Sequence, residues 1–153
     1  MSLKIHHLDC GSFCPHFCQT LFGVSHFSCH CLLVETSQNL ILVDTGLSEL
    51  FLKLNKNPVH KFLTRPNYTA ADSAKAQVQK LGYNAADVTD IIATHVDQDH
   101  IGAVHEFKSA RLHLHRAELN HLNVTKQHGR KSRFSKKYIQ NTNIIETIFE
   151  CED

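Results

Sequence analysis

The feature that most constrains this chain is residues 94–102, whose sequence is Thr-His-Val-Asp-Gln-Asp-His-Ile-Gly. Four side chains of types that bind metal ions fall within six residues here: His95, Asp97, Asp99 and His100. The apolar stretch before them predicts a buried strand, and residues just past the carboxyl end of such a strand point into the crevice where open α/β sheets bind ligands. The four side chains cannot face one way on a strand or on one helix, so the pattern predicts a loop that enters a helix.

The donor set of this segment is imidazole and carboxylate, without a thiolate. Such nitrogen and oxygen donors suit Zn, Fe or Mn, and they favour a catalytic zinc site over a purely structural one. An exposed polar loop is the alternative, but it does not explain two histidines and two aspartates directly behind a buried strand. The segment therefore predicts a metal site.

The length and composition are those of one globular domain over residues 1–153. The chain is 42% hydrophobic and 20% charged, so it has the apolar content for one core. Its formal charge of +1 gives no general attraction to nucleic acid or to an acidic surface. No apolar stretch approaches the ~20 residues that a spanning helix needs, and no signal peptide is recognisable, so we expect a cytoplasmic protein without a membrane partner.

Hydrophobic periodicity and turn residues predict the other elements. Strands are expected at residues 3–8, 29–35, 39–44, 88–94 and 111–115, with another beginning at 144; helices are expected at 48–54, 69–81 and 116–123, and a capped turn at 84–87. Residues 13–28 and the connection containing Pro58 and Pro66 are expected to be irregular. The order of these elements is that of an α/β fold.

The strand predicted at 39–44 ends at Asp44, which Thr45 and Gly46 follow. Two interpretations of Asp44 are open. The carboxylate caps the segment that follows, or it braces a loop of metal ligands by hydrogen bonding, as carboxylates beside metal-bound residues do.

The six cysteines are Cys10, Cys14, Cys18, Cys29, Cys31 and Cys151. The first three recur every four residues, and the close pair Cys29 and Cys31 could complete a structural zinc site with them. However, a spacing of two fits alternate positions of a strand, and cysteine is among the most buried residue types. We therefore favour buried or half-buried thiols.

Two motifs resemble those of a known family. Residues 94–102 resemble the metal motif His-x-His-x-Asp-His of the metallo-β-lactamase fold superfamily, and residues 42–46 resemble its upstream Val-Asp-Thr-Gly element. Residues 6–11, residues 29–33 and Arg65-Pro66 are similar to a branch of stand-alone hydrolases in which the second motif histidine is aspartate. The resemblance implies an α/β fold: the N-terminal half of an αββα sandwich, with a mixed sheet and helices on one face.

Carried over by position, the resemblance implies that His95 binds a first metal and that Asp99 and His100 bind a second. Asp97 stands where most members have histidine and is a candidate ligand through oxygen. Asp99 is also the candidate catalytic residue, which would orient the attacking hydroxide or deprotonate the water from which it forms. The implied cofactor is Zn²⁺, two ions in a complete site, with Fe or Mn as alternatives, and the implied reaction is attack of metal-bound hydroxide on a small ester, lactone or related substrate.

Some residues leave other functions open. The superfamily's second half supplies further ligands, and His105, His113 and His115 do not match them convincingly, so the domain is expected to be incomplete. A truncated, inactive metal-binding remnant that forms a homodimer is one alternative. A nucleic-acid-binding protein or nuclease is another, because residues 126–137 carry six basic residues, although such a run is more often a solvated surface.

Overall fold

A seven-stranded mixed sheet forms the centre of the computed structural model, which describes residues 3–15, 20–21, 23–123 and 136–147. The strands are β1 (Lys4–Phe13), β2 (Phe27–Glu35), β3 (Leu40–Val43), β4 (Pro66–Asn67), β5 (Val88–Ile92), β6 (Arg111–His115) and β7 (Asn143–Thr147). Their order across the sheet is β4-β1-β2-β3-β5-β6-β7. The pairs from β4 to β3 are antiparallel and the pairs from β3 to β7 are parallel, so β3 is the strand at which the pairing changes.

Short helices connect the strands. They are α1 (Glu49–Leu54), α2 (Pro58–Thr64), α3 (Ala74–Lys80), α4 (Gln98–Ile101) and α5 (Arg116–Asn123), with 3-10 turns at Ala70–Asp72, Ala85–Asp87, Val104–Glu106 and Lys136–Ile139. Within the described ranges, none of the helices has both the length and the apolar character needed to cross a bilayer.

The core lies on one face of the sheet. Leu33, Leu42, Ile91 and Leu112 follow one another across four neighbouring strands, and all are fully buried. Buried side chains of α1, α3 and α4 join the same apolar cluster. Ile92, which alternates with Ile91 and faces the other way, is 38% exposed. Helices on one face of a mixed sheet were expected, and this arrangement confirms the expectation.

The first strand is longer than predicted. Turn residues after Leu8 predict its end there, but β1 continues to Phe13. The pairing with β2 shifts register between Asp9 and Ser12, and Gly11 within this bulge has φ +95°. Because glycine adopts this left-handed conformation without a steric penalty, the strand bends and continues pairing.

Two predictions about helices need correction. Residues 69–81 form two pieces, because Ser73 has an extended backbone between the 3-10 turn and α3 and caps α3 through its hydroxyl. Pro58 begins α2 and Pro66 begins β4, where an irregular connection was expected. Proline suits the first turn of a helix, since the N–H that it lacks has no intrahelical acceptor there. The hairpin, the capped turn at 84–87 and the other predicted elements are confirmed, with boundaries moved by a few residues.

Candidate metal centre

The centre begins at the turn after β3. Asp44 has φ +58°, a left-handed conformation uncommon outside glycine, and it is buried. Its backbone N–H donates to the carbonyl oxygen of Ile92 at 2.9 Å, which fixes the turn beside the carboxyl end of β5. The two ends therefore meet at one edge of the sheet, as the crevice argument from the sequence predicts.

The carboxylate of Asp44 forms hydrogen bonds with the segment that carries the four predicted ligands, residues 94–102. Its Oδ1 accepts the Thr94 backbone N–H at 2.9 Å, and its Oδ2 accepts the Thr94 hydroxyl at 2.8 Å. The same Oδ2 lies 2.8 Å from Nδ1 of His100. Of the two interpretations of Asp44, these contacts confirm the brace for the ligand loop.

The turn after β3 and the residues that follow it also bind backbone carbonyl oxygens at the C-terminal end of the motif. Both the backbone N–H and the hydroxyl of Thr45 donate to the carbonyl oxygen of His100, at 2.7 and 2.9 Å. Ser48 donates to the carbonyl oxygen of Gly102 at 2.7 Å. A Cβ on Gly102 would lie 2.6 Å from the carbonyl oxygen of Gly46, so this close approach of the two backbones requires glycine.

Two further side chains hold the loop between β5 and α4. The backbone N–H of Val96 donates to the Glu118 carboxylate of α5 at 3.0 Å. At the start of α4, Gln98 accepts from the Asn55 side-chain amide at 3.2 Å. The loop is thus tied to three separate parts of the chain, as expected for a segment that must present its side chains in a fixed arrangement.

The structure places the four predicted ligands in two neighbouring His–Asp pairs. The ring centroids of His95 and His100 lie 3.7 Å apart. Nε2 of His95 lies 3.7 Å from an Asp97 oxygen, and Nε2 of His100 lies 3.4 Å from an Asp99 oxygen. All four side chains are between 27% and 39% exposed, so they are accessible without being fully solvated.

Charge in this cluster is strongly coupled. Burial alone would lower the pKa of His100, but hydrogen bonds to Asp44 and Asp99 raise it to about 10. Burial opposes ionisation of Asp99, yet the contact with His100 holds the pKa of that carboxyl below its usual range. The pair of His100 and Asp99 therefore favours an imidazolium beside a carboxylate. A divalent cation can bind in place of the imidazolium proton.

The donor chemistry fits a divalent metal ion. Because Nδ1 of His100 faces Asp44, its Nε2 is the nitrogen turned toward Asp99, and hydrogen bonding of the second ring nitrogen to a carboxylate is typical of metal-bound histidine. The side chains stand in His–Asp pairs. Among the residues that the structure describes, no three His, Cys, Asp or Glu side chains converge in a geometry that holds a metal.

Three of the cysteines lie in the hydrophobic core. Cys10, Cys29 and Cys31 are buried and free, and Cys14 is partly buried and free. Burial raises the pKa of the Cys29 thiol to about 12, and the pKa of Cys31 is raised by its hydrogen bond with Cys10 and by burial. These thiols therefore behave as core groups, as the sequence favours. Cys18 and Cys151 lie outside the described residues.

The other histidines considered from the sequence have separate surroundings. His113 lies on the open face of β6, where its Nε2 contacts Asp90 at 2.7 Å. His105 lies in the 3-10 turn after α4, and its Nδ1 is buried with no hydrogen-bond partner among the described residues. The basic segment proposed for nucleic acid lies mostly outside the described residues, which resume at Lys136.

Sequence reasoning missed two residues of the centre. Thr94 contacts Asp44 and both histidines through one hydroxyl, and Glu118 holds the loop from α5. The only sequence signal for Thr94 is its position directly before the motif. Glu118 gives none, because its contact with Val96 depends on how α5 packs after β6.

Residues 24–150 match the family model described as the metallo-beta-lactamase superfamily. This chain belongs to that superfamily. It is 39% identical over 117 residues to a probable metallo-hydrolase of Mycobacterium tuberculosis, a match that covers 76% of this chain and 36% of that protein. It is 32% identical over 92 residues to an N-acyl homoserine lactonase of Bacillus cereus, covering 58% of this chain and 36% of that protein. The chain thus spans about a third of the length of these relatives.

Solved structures share the fold. An AiiA variant of B. thuringiensis with N-decanoyl-L-homoserine bound at its active site has a TM-score of 0.70 and 24% identity, and covers 98% of this chain and 62% of that chain. AidC, described as a dizinc quorum-quenching lactonase in complex with a product, has a TM-score of 0.58 and 21% identity, and covers 99% of this chain and 60% of that chain. The seven-stranded sheet with its helices is therefore a metallo-β-lactamase fold.

Proposed function

We propose that this chain carries the metal centre of a hydrolase that acts on a small ester, lactone or related substrate. The observation that carries the proposal is the orientation of His100, whose Nδ1 is held by buried Asp44 while its Nε2 faces Asp99. A histidine fixed in this way presents one nitrogen to a metal and cannot easily turn away. Membership of the superfamily supports metal-dependent hydrolysis as the type of reaction.

The proposed ligands are His95, Asp97, Asp99 and His100, and Zn²⁺ is the proposed ion, with Fe or Mn as alternatives. Two ions are proposed for a complete site. A divalent ion in such a site supplies Lewis acidity, which activates water and polarises a carbonyl group. Asp99 is the proposed catalytic residue, because its carboxylate is ionised beside His100 and can accept a proton or orient a water molecule.

The proposed substrate class rests on the relatives. One is named an N-acyl homoserine lactonase. One solved neighbour has N-decanoyl-L-homoserine bound at its active site, and another has the product N-hexanoyl-L-homoserine bound at its catalytic metal center. A lactone is a cyclic ester, so the same carbonyl chemistry covers both groups of substrate. A cytoplasmic location is part of the proposal and is supported by the free thiols of the described cysteines.

The test uses the full chain loaded with Zn²⁺, with metal content measured by elemental analysis and turnover measured on aryl esters and N-acyl homoserine lactones. We expect bound zinc and turnover, and we expect His100→Ala and Asp99→Ala to lose both. His26→Ala is the matched control, because His26 is exposed and its Nδ1 contacts the hydroxyl of its neighbour Ser25, away from the motif. A wild-type chain that retains no metal, or variants with unchanged turnover, would contradict the proposal.

A further inference from the structure

The Thr94 hydroxyl lies at the meeting point of one carboxylate and two imidazole rings. Its Oγ1 is 2.8 Å from Oδ2 of Asp44, 3.1 Å from Nδ1 of His95 and 3.2 Å from Nδ1 of His100. Three contacts on one oxygen raise the question of where its single hydrogen goes. The answer fixes the hydrogens of its neighbours as well.

The ionised carboxylate decides the direction of each bond. Asp44 can only accept, so Thr94 donates its one hydroxyl hydrogen to Oδ2 of Asp44. Nδ1 of His100 lies near both the Asp44 carboxylate and the Thr94 hydroxyl. It donates to the nearer of the two, Oδ2 of Asp44, at 2.8 Å. The Thr94 oxygen then has only lone pairs left for the remaining neighbour, Nδ1 of His95.

An oxygen without a spare hydrogen can only accept from a ring nitrogen. His95 must therefore carry its hydrogen on Nδ1, which leaves the lone pair of a neutral ring on Nε2. This Nε2 is the nitrogen that faces Asp97, at 3.7 Å. In the same way Nε2 of His100 faces Asp99. Nδ1 of each ring thus faces the Asp44 and Thr94 side, and Nε2 of each ring faces the predicted carboxylate ligand, Asp97 or Asp99.

We propose that Thr94 is a positioning residue that extends the influence of Asp44 to His95, so that one buried carboxylate orients the ring of His100 and sets the tautomer of His95. Asp44 acts on His100 directly and on His95 through the Thr94 hydroxyl. The inference rests on the proposed function for its purpose, since Nε2 is the nitrogen offered to the metal. Its physical content, the position of one hydrogen on His95, is independent of any activity.

The decisive measurement is the tautomer of His95 in the full chain after treatment with a chelator. Long-range ¹H–¹⁵N correlation spectra of ¹⁵N-histidine protein at mildly alkaline pH distinguish Nδ1–H from Nε2–H. We expect Nδ1–H for His95 in the wild type and in Thr94→Ser, which keeps the hydroxyl. Thr94→Val has nearly the same shape but no hydroxyl, so we expect its His95 to shift toward Nε2–H.

Zinc affinity, measured by competition with a chromophoric chelator, provides a second measurement. We expect Thr94→Val to bind zinc about tenfold more weakly, the lower end of the effect of removing a partner of a metal ligand, and Thr94→Ser to restore the wild-type affinity. Thr89→Val is the matched control, because the Thr89 hydroxyl donates to the Leu40 carbonyl oxygen at 3.3 Å, away from the motif. Thermal unfolding followed by circular dichroism verifies that each variant is folded.

A wild-type His95 with its hydrogen on Nε2 would overturn the inference, and so would a folded Thr94→Val with an unchanged His95 tautomer. If Thr94→Val does not fold, the wild-type and Thr94→Ser spectra still decide the matter. A chain with the expected tautomers but no hydrolysis would contradict the proposed function alone. The two proposals therefore fail in different measurements.

Discussion

At the scale of single residues, Asp44 contributes most to the centre. It adopts a left-handed backbone conformation, it is buried, and it receives hydrogen bonds from Thr94 and His100. Strain of this kind persists where surrounding contacts over-determine the geometry, and it occurs often at functional sites. The residues of the motif were predictable from the sequence, but their orientation depends on this carboxylate, which lies 50 residues earlier than Thr94.

The protonation of His100 gives a prediction at this scale. Because the pKa of His100 is raised to about 10, the ring holds a proton throughout the neutral range, and zinc must displace it from Nε2. Zinc affinity should therefore rise with pH until about pH 10, and binding at neutral pH should release about one proton from His100. Calorimetric titration in two buffers of different ionisation enthalpy measures this release, and a value near zero would contradict the prediction.

Asp97 gives a second prediction, since it stands at the position of the second histidine in the His-x-His-x-Asp-His motif. It is the N-cap residue of α4, but its side chain makes no capping hydrogen bond, so its replacement should cost the helix little. We expect Asp97→His to raise the ratio of zinc affinity to Mn²⁺ affinity about tenfold, because imidazole suits zinc and carboxylate suits manganese. Asp97→Asn keeps the size and removes the charge, and it should bind zinc more weakly than the wild type. Chelator competition ranks the three proteins, and a histidine variant weaker than the asparagine variant would refute the prediction.

At the scale of elements, β5 and β6 are joined by an ion pair on the open face of the sheet. Asp90 is buried, and Arg111 contacts its two oxygens at 2.8 and 2.9 Å. The hydrogen bond from Arg111 lowers the pKa of Asp90 to about 2, with a smaller contribution from His113 in the same direction and an opposing effect of burial. The pair thus links two parallel strands next to the candidate centre.

The ion pair of Asp90 and Arg111 predicts how the stability of the fold depends on pH. A carboxyl with a lowered pKa stabilises the folded state above its unfolded pKa of about 3.9, and this contribution is lost as the pH falls toward 2. We expect Asp90→Asn to be less stable than the wild type by about 1–2 kcal/mol at neutral pH, with the difference shrinking below about pH 4. Urea unfolding at a series of pH values measures it. A difference that stays constant into acid would show that the charge of Asp90 is not responsible.

The elements also show where the sequence suffices and where it does not. The β2–β3 hairpin and β5 were predictable, because apolar residues and turn formers are local signals. Strand β4 has only two residues, and it pairs with Ser12 and Phe13, the part of β1 beyond the bulge that the sequence did not predict as strand. The start of α2 at Pro58 is not predictable from proline's usual role as a helix breaker, because proline also suits the first turn of a helix.

At the scale of the whole molecule, the sheet has one closed face and one open face. Ile91 and Ile92 are adjacent in β5 and differ in burial, from fully buried to 38% exposed. The alternation predicts the two faces from the sequence. Which face receives the helices is decided by the crossover connections and their packing, and the structure places α1, α3 and α4 on the side of Ile91.

A matched pair of substitutions tests this asymmetry. We expect Ile91→Ala to destabilise the chain by about 2–5 kcal/mol, because it leaves a cavity in the core, and Ile92→Ala to cost less than about 1.5 kcal/mol. Both changes remove the same atoms from the same strand, so strand propensity cancels in the comparison. Chemical denaturation measures both free energies of unfolding. Equal losses would mean that the open face is as closely packed as the core.

The change of pairing at β3 has a further consequence for the order of folding. On one side of β3 the connection to β2 is a short turn, whereas its parallel partner β5 arrives only after the helices between them. Contacts between residues close in sequence form with a smaller loss of chain entropy, so we expect the hairpin to precede the β3–β5 pairing. Asp44 meets Thr94 only in that later step. The capacity to capture metal should therefore arise late during folding, so metal uptake would report that the chain has completed its long-range closure.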